Sequence, residues 1–241
     1  MKIYAHRGAS GFYPENTMLA FHQALEAKSD GIELDVQLSK DGHVVIIHDE
    51  GLERTTDATG RVYDYTLQEL QRVNAAAKWQ GGNHFHPIPT FDEYCSWVRT
   101  TDLITNIEIK SSVIYYPGLE KKTLDLIKAH KIEDRVIISS FNHLSLIETK
   151  RLAPDLPCGV LVPESGLVNA GYAAKHFGFE YFHPAYANLD GASVAECHRH
   201  SIAVNVWTVN TMEALEKCHA WGCDGIFTNY PKVARAYVDC L

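Results

Sequence analysis

Eight short apolar runs recur along the chain, and most are followed by a stretch with helical periodicity. They are IYAHR (3–7), GIELDV (31–36), LITNIEIK (103–110), VIISSF (136–141), PCGVLV (157–162), EYFHP (180–184), AVNVWTV (203–209) and DGIFTN (224–229). Between them lie amphipathic stretches such as TMLAFHQALEAK, GLEKKTLDLIKAH, HLSLIETKRLA, SVAECHRHS and TMEALEKCHAWG. Strands alternating with helices build right-handed βαβ units over a parallel sheet. Eight such repeats in 241 residues predict an α/β chain folded as a closed (β/α)8 TIM barrel.

One connection breaks this rhythm. After Asp35 the chain runs through a second apolar strand, VVIIHD, and then an irregular polar stretch to about Thr90, before the helical FDEYCSWV. A loop of that length inside a compact domain is usually functional. Residues of about 38–90 are therefore expected to form an excursion above the barrel mouth, with VVIIHD pairing near the end of the second strand. No Ser-, Gly- or Pro-rich linker divides the chain, so residues 1–241 are expected to form a single domain containing this insertion.

Composition narrows the partners. The formal charge is −8, from 30 acids against 22 bases, and no Lys/Arg run is long enough to follow a nucleic-acid backbone or an anionic membrane. No window approaches the ~20 apolar residues needed to span a bilayer. The opening MKIYAHRG lacks the apolar region of a signal peptide, giving the expectation of a cytoplasmic protein with no nucleic-acid partner and no membrane insertion. The six cysteines show neither a CxxC pair nor zinc-type spacing, so reduced, buried thiols are expected.

In a barrel of this kind, chemistry sits at the C-terminal ends of the strands. His6 and Arg7 end the first run, Glu33 and Asp35 lie in the second, His48 ends the inserted strand, and Glu108 and Lys110 lie in the third. Side chains at i and i+2 share a strand face. Glu33 with Asp35, and Glu108 with Lys110, should therefore point into the barrel, while Ile32, Leu34, Ile107 and Ile109 face the helices. Three carboxylates on one axis repel each other unless a cation sits among them. Their hard oxygen donors suit a divalent metal ion, Mg2+ or Ca2+. A set of structural ion pairs with Arg7 and Lys110 is the competing account of the same residues. His6 and His48, beside this cluster, have the character of an acid and a base. Arg7 and Lys110 offer donors to a bound phosphate, Arg being able to engage two oxygens at once.

These residues resemble the glycerophosphodiester phosphodiesterases, and the similarity runs nearly end to end: AHRGASGFYPENT, GIELDVQLSKDGHVVIIHD, LERTTDATGRV, TLQELQRV, IPTFDEY, NIEIK, SSF, VWTVN and DGIFTNYP. HRG alone is a weak signal, whereas HRG, PENT, ELDV, HD and NIEIK in order are highly specific. The resemblance implies a barrel with a small insertion after its second strand, His6 and His48 as general acid and base, Glu33, Asp35 and Glu108 as metal ligands, and Arg7 and Lys110 as phosphate binders. It further implies that Trp207 lines the glycerol pocket, with Phe12 and Phe141 as further wall candidates. The expected reaction converts a small-molecule glycerophosphodiester to glycerol 3-phosphate and an alcohol such as choline or ethanolamine. The nucleophile is water or the substrate's own neighbouring hydroxyl.

The chain departs from the family's usual T-D-x-P pattern, carrying Thr228, Asn229, Tyr230 and Pro231. Asn keeps the size and hydrogen-bonding capacity of Asp but loses its charge. PENT is expected to open the first helix, with Asn16 or Thr17 as N-cap. Two alternatives accompany the main reading. A lysophospholipase D-like or phosphatidylinositol-type lipid enzyme on the same fold should show an exposed apolar or basic membrane-contacting loop, whereas the insertion has aromatics but no basic amphipathic stretch. A protein that binds a phosphodiester without cleaving it would lack a histidine or a metal ligand, and all are present.

Overall fold

The first strand pairs with both the second and the last, so the sheet has no free edge between them. The computed structural model describes every residue except Asn83 and Ser165. The elements begin with β1 (Lys2–His6), α1 (Met18–Glu26), β2 (Gly31–Leu38), β3 (Val44–Ile46), α2 (Leu67–Leu70), α3 (Phe91–Val98) and β4 (Ile104–Ile109). They continue with α4 (Leu119–His130), β5 (Val136–Ser140), α5 (His143–Leu152), β6 (Cys158–Leu161), α6 (Ala170–His176) and β7 (Tyr181–His183). The chain closes with α7 (Gly191–Arg199), β8 (Ala203–Val206), α8 (Met212–Ala220), β9 (Gly225–Thr228) and α9 (Pro231–Val238).

All strands except β3 pair in parallel, giving the closed eight-stranded (β/α)8 barrel. No helix among the described residues is long and apolar enough to cross a membrane. The helices start where polar caps end the loops: Thr17, Thr90, Asn142, Asp190 and Thr211 each accept a hydrogen bond from a first-turn backbone N–H. Three helices, α2, α6 and α9, fall outside the stretches named from periodicity, α2 being a single four-residue turn within the excursion. α6 spans only seven residues, too few for a periodic pattern to stand out. α9 begins on Pro231, where the missing N–H costs nothing because the first-turn donors have no helical partner.

Strand alternation sorts the side chains. Ile32, Leu34, Val36, Ile107 and Ile109 join Phe21, Tyr94 and Leu119 in the core between barrel and helices. The opposite face of the same strands fills the barrel interior. Near the start of the strands this interior is apolar, with Tyr4, Ile137 and Phe227 packed together. Higher up it becomes polar.

The connection from β2 to α3 forms a second, smaller core. β3 runs antiparallel to β2, with Val36 opposite Ile46, and the chain returns through a bridge between Val45 and Thr90 at the start of α3. Between these points Val45, Ile47, Leu52, Val62, Leu70, Val73, Ala75 and Ile88 bury one another. The irregular polar stretch expected from the sequence thus has an apolar core. Its apolar residues are spaced too widely for periodicity to reveal them. Residue 83 of the expected excursion lies outside the described residues.

His183 on β7 is fully buried in the barrel, its Nε2 accepting from the Asn205 side chain at 3.2 Å. Gly159 on the adjacent β6 makes room for this ring, since a Cβ there would lie 2.4 Å from it. Gly159→Ala is expected to destabilise the fold by about 1–3 kcal/mol through overpacking, read as a lower urea midpoint. Burial also pushes the His183 pKa down from 6.5 to about 3. Between those values the unfolded chain binds the extra proton, so the contribution of neutral His183 is complete above pH 6.5 and shrinks below it. Unfolding measured at pH 7 and pH 5 should show a loss of about 2 kcal/mol attributable to this residue, absent from His183→Gln.

Candidate active site

The upper end of the barrel opens into a cavity of about 400 Å3 lined by His6, Arg7, Glu33, His48, Asn106, Glu108, Lys110, Ser139, Phe141, Leu161, Trp207 and Phe227. The strand register explains the meeting. His6 stands beside Glu33, Glu33 beside Asn106, and Asp35 beside Glu108, and residues in register on parallel strands point to the same side. Glu33, Asp35 and Glu108 each offer an oxygen, and these oxygens lie within 4.8 Å of one another.

Burial raises the cost of charge here, and the fixed cations decide which acid bears it. Burial and neighbouring Asp35 push the Glu33 carboxyl well above its usual range, against the pull of Arg7. Burial also raises the Glu108 carboxyl, partly offset by Lys110 at 2.8 Å. Asp35 is fully buried, yet His48, Arg7 and Lys110, with a hydrogen bond from Asn16, outweigh burial and hold its carboxyl far below the usual range. Its Oδ2 accepts from Asn16 Nδ2 at 2.8 Å and lies 3.6 Å from Arg7 Nε, while its buried Oδ1 has no hydrogen-bond partner.

The wider network links the carboxylates Glu15, Glu33, Asp35, Asp49 and Glu108 to the permanent cations Arg7, Arg54 and Lys110. Two negative charges remain when all five acids ionise. An all-oxygen cluster, a buried Asp35 Oδ1 with no hydrogen-bond partner and only Lys110 Nζ at 3.9 Å, and five acids facing three fixed cations together fit a hard divalent cation. The ion pairs of Arg7 and Lys110 are present as well, so the metal-type cluster and the structural ion pairs coexist.

The two imidazoles are held from behind. His6 Nδ1 lies 2.7 Å from Asn229 Oδ1, and enclosure by the barrel wall, reinforced by Arg7, pushes its pKa down to about 4. His48 Nδ1 lies 2.5 Å from Asp49 Oδ1, with Nε2 3.3 Å from Lys110 Nζ. Its backbone is fixed by Gln37, a fully buried residue on β2, whose side-chain NH2 shares its two N–H groups among the carbonyls of Ile47, His48 and Asp49 at 3.0, 3.1 and 2.9 Å. Tyr116 holds that amide from the other side at 2.8 Å.

Trp207 and Phe141 form one apolar wall, edge to face with ring centroids 5.6 Å apart, and Trp207 Nε1 donates to the His183 carbonyl at 2.9 Å. Phe12 does not join them. It is 61% exposed and packs on Tyr230, outside the cavity, because its loop turns away from the barrel axis toward the segment after β9. Asn16 has a more direct place than helix capping: Thr17 is the N-cap, and Asn16, at φ +54°, turns its side chain to Asp35. Glu15, Asp49, Arg54 and Gln37 also belong to the network. The first three lay in PENT, HD and RTT, and Gln37 in GIELDVQL, but a motif does not show which way a side chain turns.

A parallel barrel whose mouth gathers buried acids, two imidazoles and fixed cations has the make-up of a phosphodiester hydrolase. Comparison with known proteins makes the assignment specific. The profile of the Glycerophosphoryl diester phosphodiesterase family matches residues 6–233, and the chain belongs to that family. It is 43% identical to a glycerophosphodiester phosphodiesterase of Caldanaerobacter subterraneus subsp. tengcongensis over 95% of this chain and 94% of the relative. It is 40% identical to one from Bacillus altitudinis over 95% of each. A phosphodiesterase of Oleispira antarctica, solved in complex with the product sn-glycerol-3-phosphate, superimposes with a TM-score of 0.90 at 30% identity, covering 99% of this chain and 97% of that one.

The unbalanced carboxylates generate a prediction. Added Mg2+ or Ca2+ should raise the melting temperature, with a gain of about 2.7 kcal/mol at a hundredfold excess over Kd, and EDTA should reverse it. Asp35→Asn should remove the response. A melting curve indifferent to both metals would contradict the charge argument.

Proposed function

We propose that the chain hydrolyses small glycerophosphodiesters such as glycerophosphocholine and glycerophosphoethanolamine to glycerol 3-phosphate and the free alcohol, acting as one barrel domain with the 38–90 excursion over its mouth. The observation carrying this reading is that His6 and His48 line one 400 Å3 cavity with Glu33, Glu108, Arg7 and Lys110. That volume suits a small ligand, and the product complex of the Oleispira relative supports the same substrate class.

In this mechanism Arg7 and Lys110 neutralise the non-bridging phosphate oxygens, where charge grows in the transition state. Each imidazole has Nδ1 engaged, His6 with Asn229 and His48 with Asp49, so Nε2 is the atom assigned to proton exchange on each ring, that of His48 lying 3.3 Å from Lys110 Nζ. One Nε2 takes the proton from the nucleophile, water or the substrate's neighbouring hydroxyl, and the other delivers one to the departing alkoxide. Trp207 and Phe141 form the wall against the glycerol carbons. Glu33, Asp35 and Glu108 would hold Mg2+ or Ca2+, which when bound supplies Lewis-acid stabilisation of the phosphate charge.

The test is release of glycerol 3-phosphate from glycerophosphocholine by purified protein, with Mg2+ or Ca2+ and with EDTA. Metal-dependent release is expected, with His6→Ala and His48→Ala each lowering kcat by about 10²–10⁴-fold. Folded protein that releases nothing, or variants that keep wild-type turnover, would sink the assignment.

A further inference from the structure

The LERTTDATGRV segment supplies a side chain that the mechanism above does not use. Arg54 donates through Nη1 and Nη2 to both oxygens of Glu15, at 2.8 and 2.7 Å, and through Nε to Asp49 Oδ2. Both partners reach the site. Glu15 accepts from Arg7 Nη1 at 3.0 Å, and Asp49 contacts His48 Nδ1 at 2.5 Å. One planar fork therefore spans the loop after β1 and the loop after β3, which meet nowhere in sequence.

The seat of Arg54 is built for this. Leu52 is fully buried in the small core of the excursion, and Thr56 folds back on it, its backbone N–H and its Oγ1 both donating to the Leu52 carbonyl at 3.1 and 2.7 Å. The turn carrying Arg54 is thereby pinned at both ends. Its side chain is 47% exposed, so these ion pairs contribute little to stability. Their geometry is nevertheless specific. Three donors in one plane address two carboxylates from fixed directions, which a lysine ammonium cannot reproduce.

We infer that Arg54 is a positioning residue that holds Asp49 on His48 and Glu15 on Arg7, making the excursion a working part of the catalytic site. The inference rests on the roles proposed above for His48 and Arg7. Without Arg54, Asp49 is free to turn to solvent, the His48 ring loses its fixed orientation, and Glu15 no longer steadies Arg7.

The test compares Arg54→Ala, Arg54→Lys and Asp49→Asn by kcat and KM on glycerophosphocholine, by thermal unfolding, and by the downfield proton NMR signal of the His48 Nδ1–H. Arg54→Ala is expected to lower kcat by about 10–100-fold with little change in melting temperature. Arg54→Lys should recover only a small part of the loss. The double variant Arg54→Ala/Asp49→Asn should be less impaired than the product of the two single effects. Arg61→Ala removes another cation of the excursion and should leave kcat at the wild-type level.

Arg54→Ala within twofold of wild type, a loss explained by unfolding at the assay temperature, or fully independent single effects would overturn the inference. The NMR signal separates the two layers of the argument. Loss of the signal in Arg54→Ala of an inactive wild type would keep the positioning role while removing the proposed reaction. An unchanged signal would remove the positioning role whatever the activity.

Discussion

Crowded negative charge inside the barrel is the constraint around which the rest of the upper structure is arranged. Glu33, Asp35 and Glu108 share a space small enough for their oxygens to lie within 4.8 Å. Ionised carboxylates in such a setting need cations, and a buried charge without a partner costs several kcal/mol. Arg7 and Lys110 answer part of this need. Asn16 answers another part from a left-handed backbone conformation that an asparagine tolerates better than most residues.

The barrel makes this concentration of charge structurally tolerable by separating its two jobs. Residues that face the helices are almost wholly apolar and form the large core, whereas alternate residues of the same strands carry the polar groups. Lower in the barrel, Tyr4, Ile137 and Phe227 close the floor. Stability is thus concentrated in the outer core and the floor, and the upper layer is left for chemistry. The imidazoles follow a matching logic: one is backed by an amide, Asn229, and the other by a carboxylate, Asp49. The two rings therefore sit in different electrostatic surroundings although they border one cavity.

The barrel was legible because its signal repeats: apolar runs and helical stretches alternate often enough to define the topology. The inward direction of Glu33, Asp35, Glu108 and Lys110 was legible for a different reason, since alternation along a strand leaves no choice of face once the apolar neighbours are assigned. What stayed hidden depends on loops. Phe12 and Asn16 lie in one loop, and nothing local distinguishes a ring that leaves the cavity from an amide that enters it. The contacts of Arg54 join positions 39 residues apart to Glu15, through a fold that only the excursion's sparse apolar residues specify. The role of Gln37 was equally silent, because an inward polar residue on a strand does not disclose that it will grip three successive carbonyls.

The excursion leaves β2 through an antiparallel strand and returns by the Val45–Thr90 bridge, so its entrance and exit are neighbours on the same stretch of sheet. Its length is consequently uncoupled from the register of the barrel. Closing a longer flexible loop costs only about 0.6 kcal/mol per doubling, and the small apolar cluster gives added residues a local place to pack. Residues can therefore be added to or removed from the excursion while the strands beneath keep their alignment. One point constrains any such change, the turn that carries Arg54, whose side chain ties the excursion to Glu15 and Asp49 beside the cavity.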